Sequence, residues 1–156
     1  QSEYSLWETS LRERILPVLR ELGIGLVAYS PVGRGFLTGK VPPAETMGSD
    51  DIRRTFPRFQ KEHAAANLRL VEAISAFAAS RNATASQVCI AWLLDQGEDI
   101  VTIPGTTRVD HLEEDAAADR IVFSVEDRRE IDRILEEHRP SGPRLPEGLL
   151  KLIARD

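Results

Sequence analysis

Two short apolar runs, IGLVAY over residues 24–29 and DIVTIPG over residues 99–105, each follow a helical stretch that a glycine stops, Gly23 before the first and Gly97 before the second. Helix, glycine, then an apolar run rich in β-branched residues is the second half of a βαβ unit. A run without polar alternation fits a strand buried on both faces, and such strands belong in parallel sheets.

The remaining elements fit that frame. The opening QSEYSLW reads as a short strand running into a loop. Residues 12–22 read as a helix with Ile15, Leu16, Val18, Leu19 and Leu22 on its apolar face and Pro17 confined to its first turn. Residues 63–80 carry Leu68, Val71, Ile74, Phe77 and Ala78 at helical spacing, and Asn82 ends that helix. Thr84-x-x-Gln87 is a capping box opening a helix to about Asp95, with Val88, Cys89, Trp92 and Leu93 inward. Thr107-x-x-Asp110 reads as the cap of a short helix to about Ala117. Ser124-x-x-Asp127 caps an amphipathic helix to about His138, with Ile131, Ile134 and Leu135 inward. The tail HRPSGPRLPEG reads as loop, and residues 149–155 as a turn of helix. Three parallel strands alternating with helices make an α/β protein. They do not close a barrel, and 156 residues fall short of the roughly 250 that an eight-stranded α/β barrel takes. The expectation is that part of the fold precedes Gln1.

Charge and composition exclude several classes. A net charge of −5 argues against a general nucleic-acid binder. No apolar run approaches the roughly 18 residues of a membrane span, and no signal-peptide pattern is present. One cysteine cannot make an internal disulfide, which points to a reducing compartment and a cytoplasmic location. No His/Cys/Asp cluster has the spacing of a metal site.

The stretch from Pro31 to about Lys61 is rich in Gly and Pro and has little periodicity; a loop that long is usually functional or disordered. Within it Arg34, Lys40, Arg53, Arg54, Arg58 and Lys61 face only Glu45, Asp50 and Asp51, a local net of +3 against −8 in the rest of the chain. Such a basic island suggests an anionic ligand. Ligands of α/β proteins lie at the carboxyl ends of strands. Here Tyr29-Ser30 ends one strand and leads into the basic loop, while Gly105-Thr106-Thr107 ends another and leads into a helix N-terminus. The plainer reading is that these glycines and threonines are turn and cap residues, and spacing alone leaves both open. On the same plain reading Arg53, Arg54 and Arg58 are solvated, and His63 and His138 lie on helix surfaces.

The segments YSPVGRGFLTGK (29–40), RFQKEHAAANLRLV (58–71), TASQVCIAWLLDQGEDIVTIPGTTRVDHLEED (84–115) and SVEDRREID (124–132) together resemble the C-terminal half of an aldo-keto reductase, and QSEYS resembles the sixth barrel strand of that family. The resemblance runs over residues 1–138, with 139–156 as a tail. It implies the C-terminal part of a (β/α)8 TIM barrel whose N-terminal half is absent from this chain. It also implies reduction of a small aldehyde or ketone by NADPH, with NADH left open. By position it gives Gln1 to the nicotinamide carboxamide, Tyr29 to the ring, and Ser30, Val32, Gly33, Arg34 and Lys40 to the pyrophosphate. Gly105, Thr106, Thr107, Arg108 and His111 fall to the adenosine 2′-phosphate, and Glu114 and Asp115 to the adenine. Two positions depart from the family pattern. His111 replaces an arginine, so a permanent charge becomes a pH-dependent one. Asp115 replaces an asparagine, so an amide donor becomes an acceptor.

The family's catalytic aspartate, tyrosine, lysine and histidine all precede the sixth strand. No catalytic residue is therefore assigned here, and this chain alone is expected to be inactive. The competing reading is a truncated, non-enzymatic remnant or a nucleotide-binding or interaction module. A homo-oligomer is compatible with either.

Overall fold

The computed structural model describes residues 1–153; the end of the helix expected at 149–155 lies outside the described residues. Strands β1 (Ser2–Glu3), β2 (Leu26–Tyr29) and β3 (Ile100–Thr102) form a parallel sheet in the order β1-β2-β3. Ser2 pairs with Ala28, and Leu26 with Ile100. Side chains alternate across the sheet. Leu26, Ala28 and Ile100 are buried, and α4 (Ala85–Leu94) packs against β3. On the opposite face Val101 and, one residue past the strand, Ile103 are exposed at 55% and 47%. A parallel sheet is normally covered on both faces. Here that second face is open at Val101 and Ile103 and closed at β1, where Glu3 is buried.

The helix expected at 12–22 is two helices, α1 (Leu11–Arg14) and α2 (Leu16–Glu21). Pro17 has no N–H to give to the carbonyl of residue 13, so the ladder breaks at Ile15. Its expected inner face is also largely outside: Leu16 is buried, but Ile15, Val18 and Leu22 are exposed. Helix α3 (Lys61–Ser80) buries Leu70, Val71, Ile74, Phe77 and Ala78, while Leu68 stays exposed. Both capping boxes form, Thr84 with Gln87 at α4 and Ser124 with Asp127 at α6 (Val125–Glu137). Helix α4 is buried from Val88 to Leu93, which makes it the central element of the core. Its Cys89 thiol is pushed up to about 12 by burial and is chemically quiet. Helix α5 (Val109–Ala116) starts one residue later than expected. Arg108 rather than Thr107 holds the capping position, because the Thr106 hydroxyl takes the Arg108 N–H at 3.1 Å. Helix α7 (Glu147–Ile153) ends the described chain. No described helix is long and apolar enough to cross a membrane.

The expected long loop at 31–61 is built of short 3-10 turns around buried Phe36, Leu37, Met47, Phe56 and Phe59. The rings of Trp7 and Phe36 stack at 4.4 Å, and Phe59 meets Trp7 at 5.4 Å. Arg58, expected in solvent, is instead largely covered beside them, its side chain 14% exposed. It donates to the carbonyl oxygens of Trp7 and Gly142, the latter at 3.0 Å, and to the Glu8 carboxylate at 2.9 Å. Asn67, fully buried on α3, donates to the Arg58 and Ser141 carbonyls and accepts the Ser141 N–H at 2.7 Å. His63, expected on a surface, meets the Ser141 hydroxyl at 2.8 Å. The tail is thereby fastened to the body, with Leu145 buried.

Replacing Arg58 by Met leaves the Glu8 carboxylate buried without its cation. The expected loss is about 3–5 kcal/mol of unfolding free energy, read by urea denaturation. The Asp127 carboxyl lies below its ordinary value, first because it accepts the Ser124 N–H, then through Arg81. A depressed carboxylate stabilises the fold above the unfolded-state value near 3.9 and loses that contribution as pH falls through the lower folded value. Asp127→Asn should therefore lower stability by about 0.5–2 kcal/mol at neutral pH. The gap to the wild type should close as pH drops below about 4, as thermal melts across pH would show.

Candidate anion-binding cleft

Past the carboxyl ends of β2 and β3 lies a cleft of about 440 Å³. One wall is the segment after β2, with Ser30, Pro31, Val32, Arg34, Gly35, Thr38 and Lys40. The other is the segment after β3 and the start of α5, with Ile103, Gly105, Thr106, His111, Glu114 and Asp115. Arg53 and Ser86 complete it. Volumes of this order are ordinary for small-molecule sites.

The backbone of the first wall is unusual. Ser30 has φ 55, and Gly33, Arg34 and Gly35 follow with φ 57, 56 and 91. Serine and arginine in the left-handed region are uncommon, and such outliers cluster at binding sites. Gly33 is required where it stands: a Cβ there would run into the Trp7 ring. That contact turns Gly33 toward the core, away from the cleft, where the sequence had placed it. The wall is braced from behind. Arg34 gives two hydrogen bonds to Glu3, at 2.7 and 3.1 Å, and its guanidinium sits 4.6 Å from the Phe56 ring centre. Arg53 donates to the Arg34 carbonyl at 3.2 Å while gripping Asp51.

The second wall carries His111, in the first turn of α5, whose capping residue makes no side-chain hydrogen bond to the helix. That end of the helix favours anions. Glu114 is already engaged: it accepts from the Thr84 hydroxyl at 2.6 Å, and its carbonyl accepts from Gln87. Burial, then Glu114, pushes the Asp115 carboxyl up, against the pull of His111. Lys40 makes no side-chain hydrogen bond or ion pair among the described residues, so its charge is available to a ligand.

Nine of the residues singled out from the sequence share this cleft: Ser30, Val32, Arg34, Lys40, Gly105, Thr106, His111, Glu114 and Asp115. Gln1, Tyr29, Gly33, Thr107 and Arg108 do not line it. Tyr29 is half-buried at the end of β2, in register with the buried Glu3 and on the same face of the sheet as Val101. Gln1 is exposed just before β1. Arg108 turns into solvent, 63% exposed, and pairs with Asp110. Arg53, read as solvated, and Ser86, not singled out at all, are additions. Ser86 was traceable in principle: the Thr84 capping box places it in the first turn of α4. Among the described residues no cluster of His, Cys, Asp or Glu could hold a metal ion.

Residues 1–136 match the Aldo/keto reductase family. The chain is 41% identical over 149 residues to "Probable aldo-keto reductase 1" of Glycine max, covering 96% of this chain and 43% of that protein. It therefore spans less than half the length of this curated relative. Among solved structures it resembles a glycerol dehydrogenase of Gluconobacter oxydans, with a TM-score of 0.76 and 26% identity over 90% of this chain and 43% of that one. An aldo-keto reductase of Klebsiella pneumoniae in complex with NADPH shares the fold, with a TM-score of 0.59 and 21% identity over 92% of this chain and 40% of that one.

The unpaired Lys40 and the paired Arg108 separate cleft from surface. With inorganic pyrophosphate as probe, Lys40→Ala should weaken binding about three- to tenfold, the scale of one partly exposed charged hydrogen bond. Arg108→Ala should leave it within about twofold on the same scale. Calorimetric titration of both variants decides the assignment.

Proposed function

The chain belongs to the aldo/keto reductase family, and we propose that it is the cofactor-holding C-terminal part of a (β/α)8 carbonyl reductase that uses NADPH. The observation that carries this reading is the cleft itself. It lies beyond the carboxyl ends of two parallel strands, has a free lysine on one wall and faces Thr106 and His111 of the segment entering α5 on the other. The NADPH bound to the similar protein of Klebsiella pneumoniae supports the same cofactor here. The open part of the sheet face supports the barrel, because further strands closing the sheet would cover Val101 and Ile103.

The residues present fit a phosphate-bearing dinucleotide. In this reading Lys40, with the backbone at Gly35, holds the pyrophosphate, and Thr106 and His111 take the 2′-phosphate. Arg108, held by Asp110, is not needed for it. Glu114, tied to Thr84, fixes the adenine end of the cleft. Tyr29 lies beside Ser30 on the same sheet face as Val101 and offers its ring to the nicotinamide. A nicotinamide cofactor supplies the hydride that turns a carbonyl into an alcohol. The contribution of this chain is to bind and orient it. The proton donor to the carbonyl oxygen is assigned to residues outside this chain, so the 156-residue chain alone should not turn over an aldehyde.

The reading is tested by titrating NADPH against the chain and its variants. Tyr29→Ala should weaken binding about fivefold or more, whereas Tyr29→Phe should stay within about twofold, because stacking uses the ring and not the hydroxyl. A wild-type chain that takes up no NADPH would remove the cofactor assignment.

A further inference from the structure

Glu3 is an acid where the fold has least use for one. It sits on β1 with its side chain 2% exposed, and it does not line the cleft. Two arginines converge on it from segments far apart in sequence. Arg34, in the cleft wall, binds both carboxylate oxygens, and Arg144, in the C-terminal tail, stands 3.5 Å from one of them. A buried carboxylate is costly unless paired, so this cluster is held by mutual need. Arg34 also has an uncommon backbone conformation. It is a non-glycine at φ 56 between two glycines that are left-handed as well.

We infer that Glu3 is a positioning residue for the cleft: by gripping Arg34 and Arg144 together, it holds the left-handed wall in its binding shape and fastens the tail to that wall. The role of Arg34 is then to be held, and its charge is spent on Glu3 rather than on the ligand. The stack on Phe56 and the Arg53 bond to the Arg34 carbonyl act in the same direction, since each fixes one end of the same residue. The inference rests on the reading of the cleft as the NADPH site only for its affinity readout.

The test uses the full chain with NADPH titrated by calorimetry and backbone amide resonances recorded without ligand. Glu3→Gln should bind NADPH at least about fivefold more weakly. The amides of Gly33 and Gly35 should shift or broaden, while those of α6 stay in place. Adding Arg34→Gly to that variant should bring affinity back to within about twofold of wild type, because glycine adopts φ near +56 without a partner. A merely structural loss would not be rescued by removing a second side chain. Unchanged Gly33 and Gly35 amides in Glu3→Gln, or a double variant as weak as the single one, overturns the proposal; the second result would return a direct charge role to Arg34. If wild type binds no NADPH while Glu3→Gln still disturbs both amides, the cofactor reading falls and the positioning role stands. Should Glu3→Gln fail to fold by circular dichroism, Arg34→Gly alone carries the test. That variant keeps Arg144 on Glu3, and it should bind within about twofold of wild type, a larger loss overturning the proposal.

Discussion

Arg58 is held where three stretches of chain meet: the turn after β1, the segment leading into α3, and the C-terminal tail. Its guanidinium lies 5.6 Å from the Trp7 ring centre, among the aromatic side chains of the loop after β2. Burial works against the charged form, and Glu8 partly offsets it. That balance helps give the irregular segment at 31–61 a fixed shape. The core of Phe36, Phe56 and Phe59 gains direction from this group, because stacking is permissive of rotation where three hydrogen bonds from one planar guanidinium to separate acceptors are not. Asn67 carries the same constraint onward to Ser141, so the tail is oriented by the same knot.

The cleft inherits its geometry from this arrangement. Gly33 rests on Trp7, and Trp7 rests beneath Arg58, so the wall after β2 is built on the same foundation as the tail. The opposite wall is set differently, by a helix cap. Thr84 takes a backbone N–H of its own helix and gives its hydroxyl to Glu114 of α5, which fixes the start of α4 against the last turn of α5. One wall is thus held by a buried charge and packing, the other by exposed hydrogen bonds. The second is the more open to local motion, since exposed bonds exchange readily with water.

What could be read from the sequence was what is local. The capping boxes at Thr84 and Ser124, the apolar runs of β2 and β3 and the inward side of α4 depend on neighbours a few residues away, and they stand where the pattern puts them. The misread residues are those whose role is decided across the chain. Arg58 resembles any polar loop residue until Glu8 and Gly142 are brought to it from 50 and 84 residues away. Arg108 is the local exception: it pairs with Asp110 only two residues on, a side-chain choice that the pattern of the helix start does not fix. The apolar side of residues 12–22 was correct as a pattern, yet Ile15, Val18 and Leu22 are exposed, because periodicity says which residues share a face and not whether anything covers it. In the cleft, the ends of the strands were legible from composition, whereas Arg53 entered through the folding of a segment that has no period to read.

The burial of Cys89 gives the molecule a property unrelated to its ligands. The chain contains one thiol, and it sits at full burial in the helix on which the sheet, α3 and α5 all rest. A thiol reagent can reach it only when α4 leaves the core. With reagent in excess, the rate of alkylation becomes the rate of that opening, and at low reagent it measures how often the open form is populated. The fold therefore carries its own clock for global unfolding, one that needs no added label.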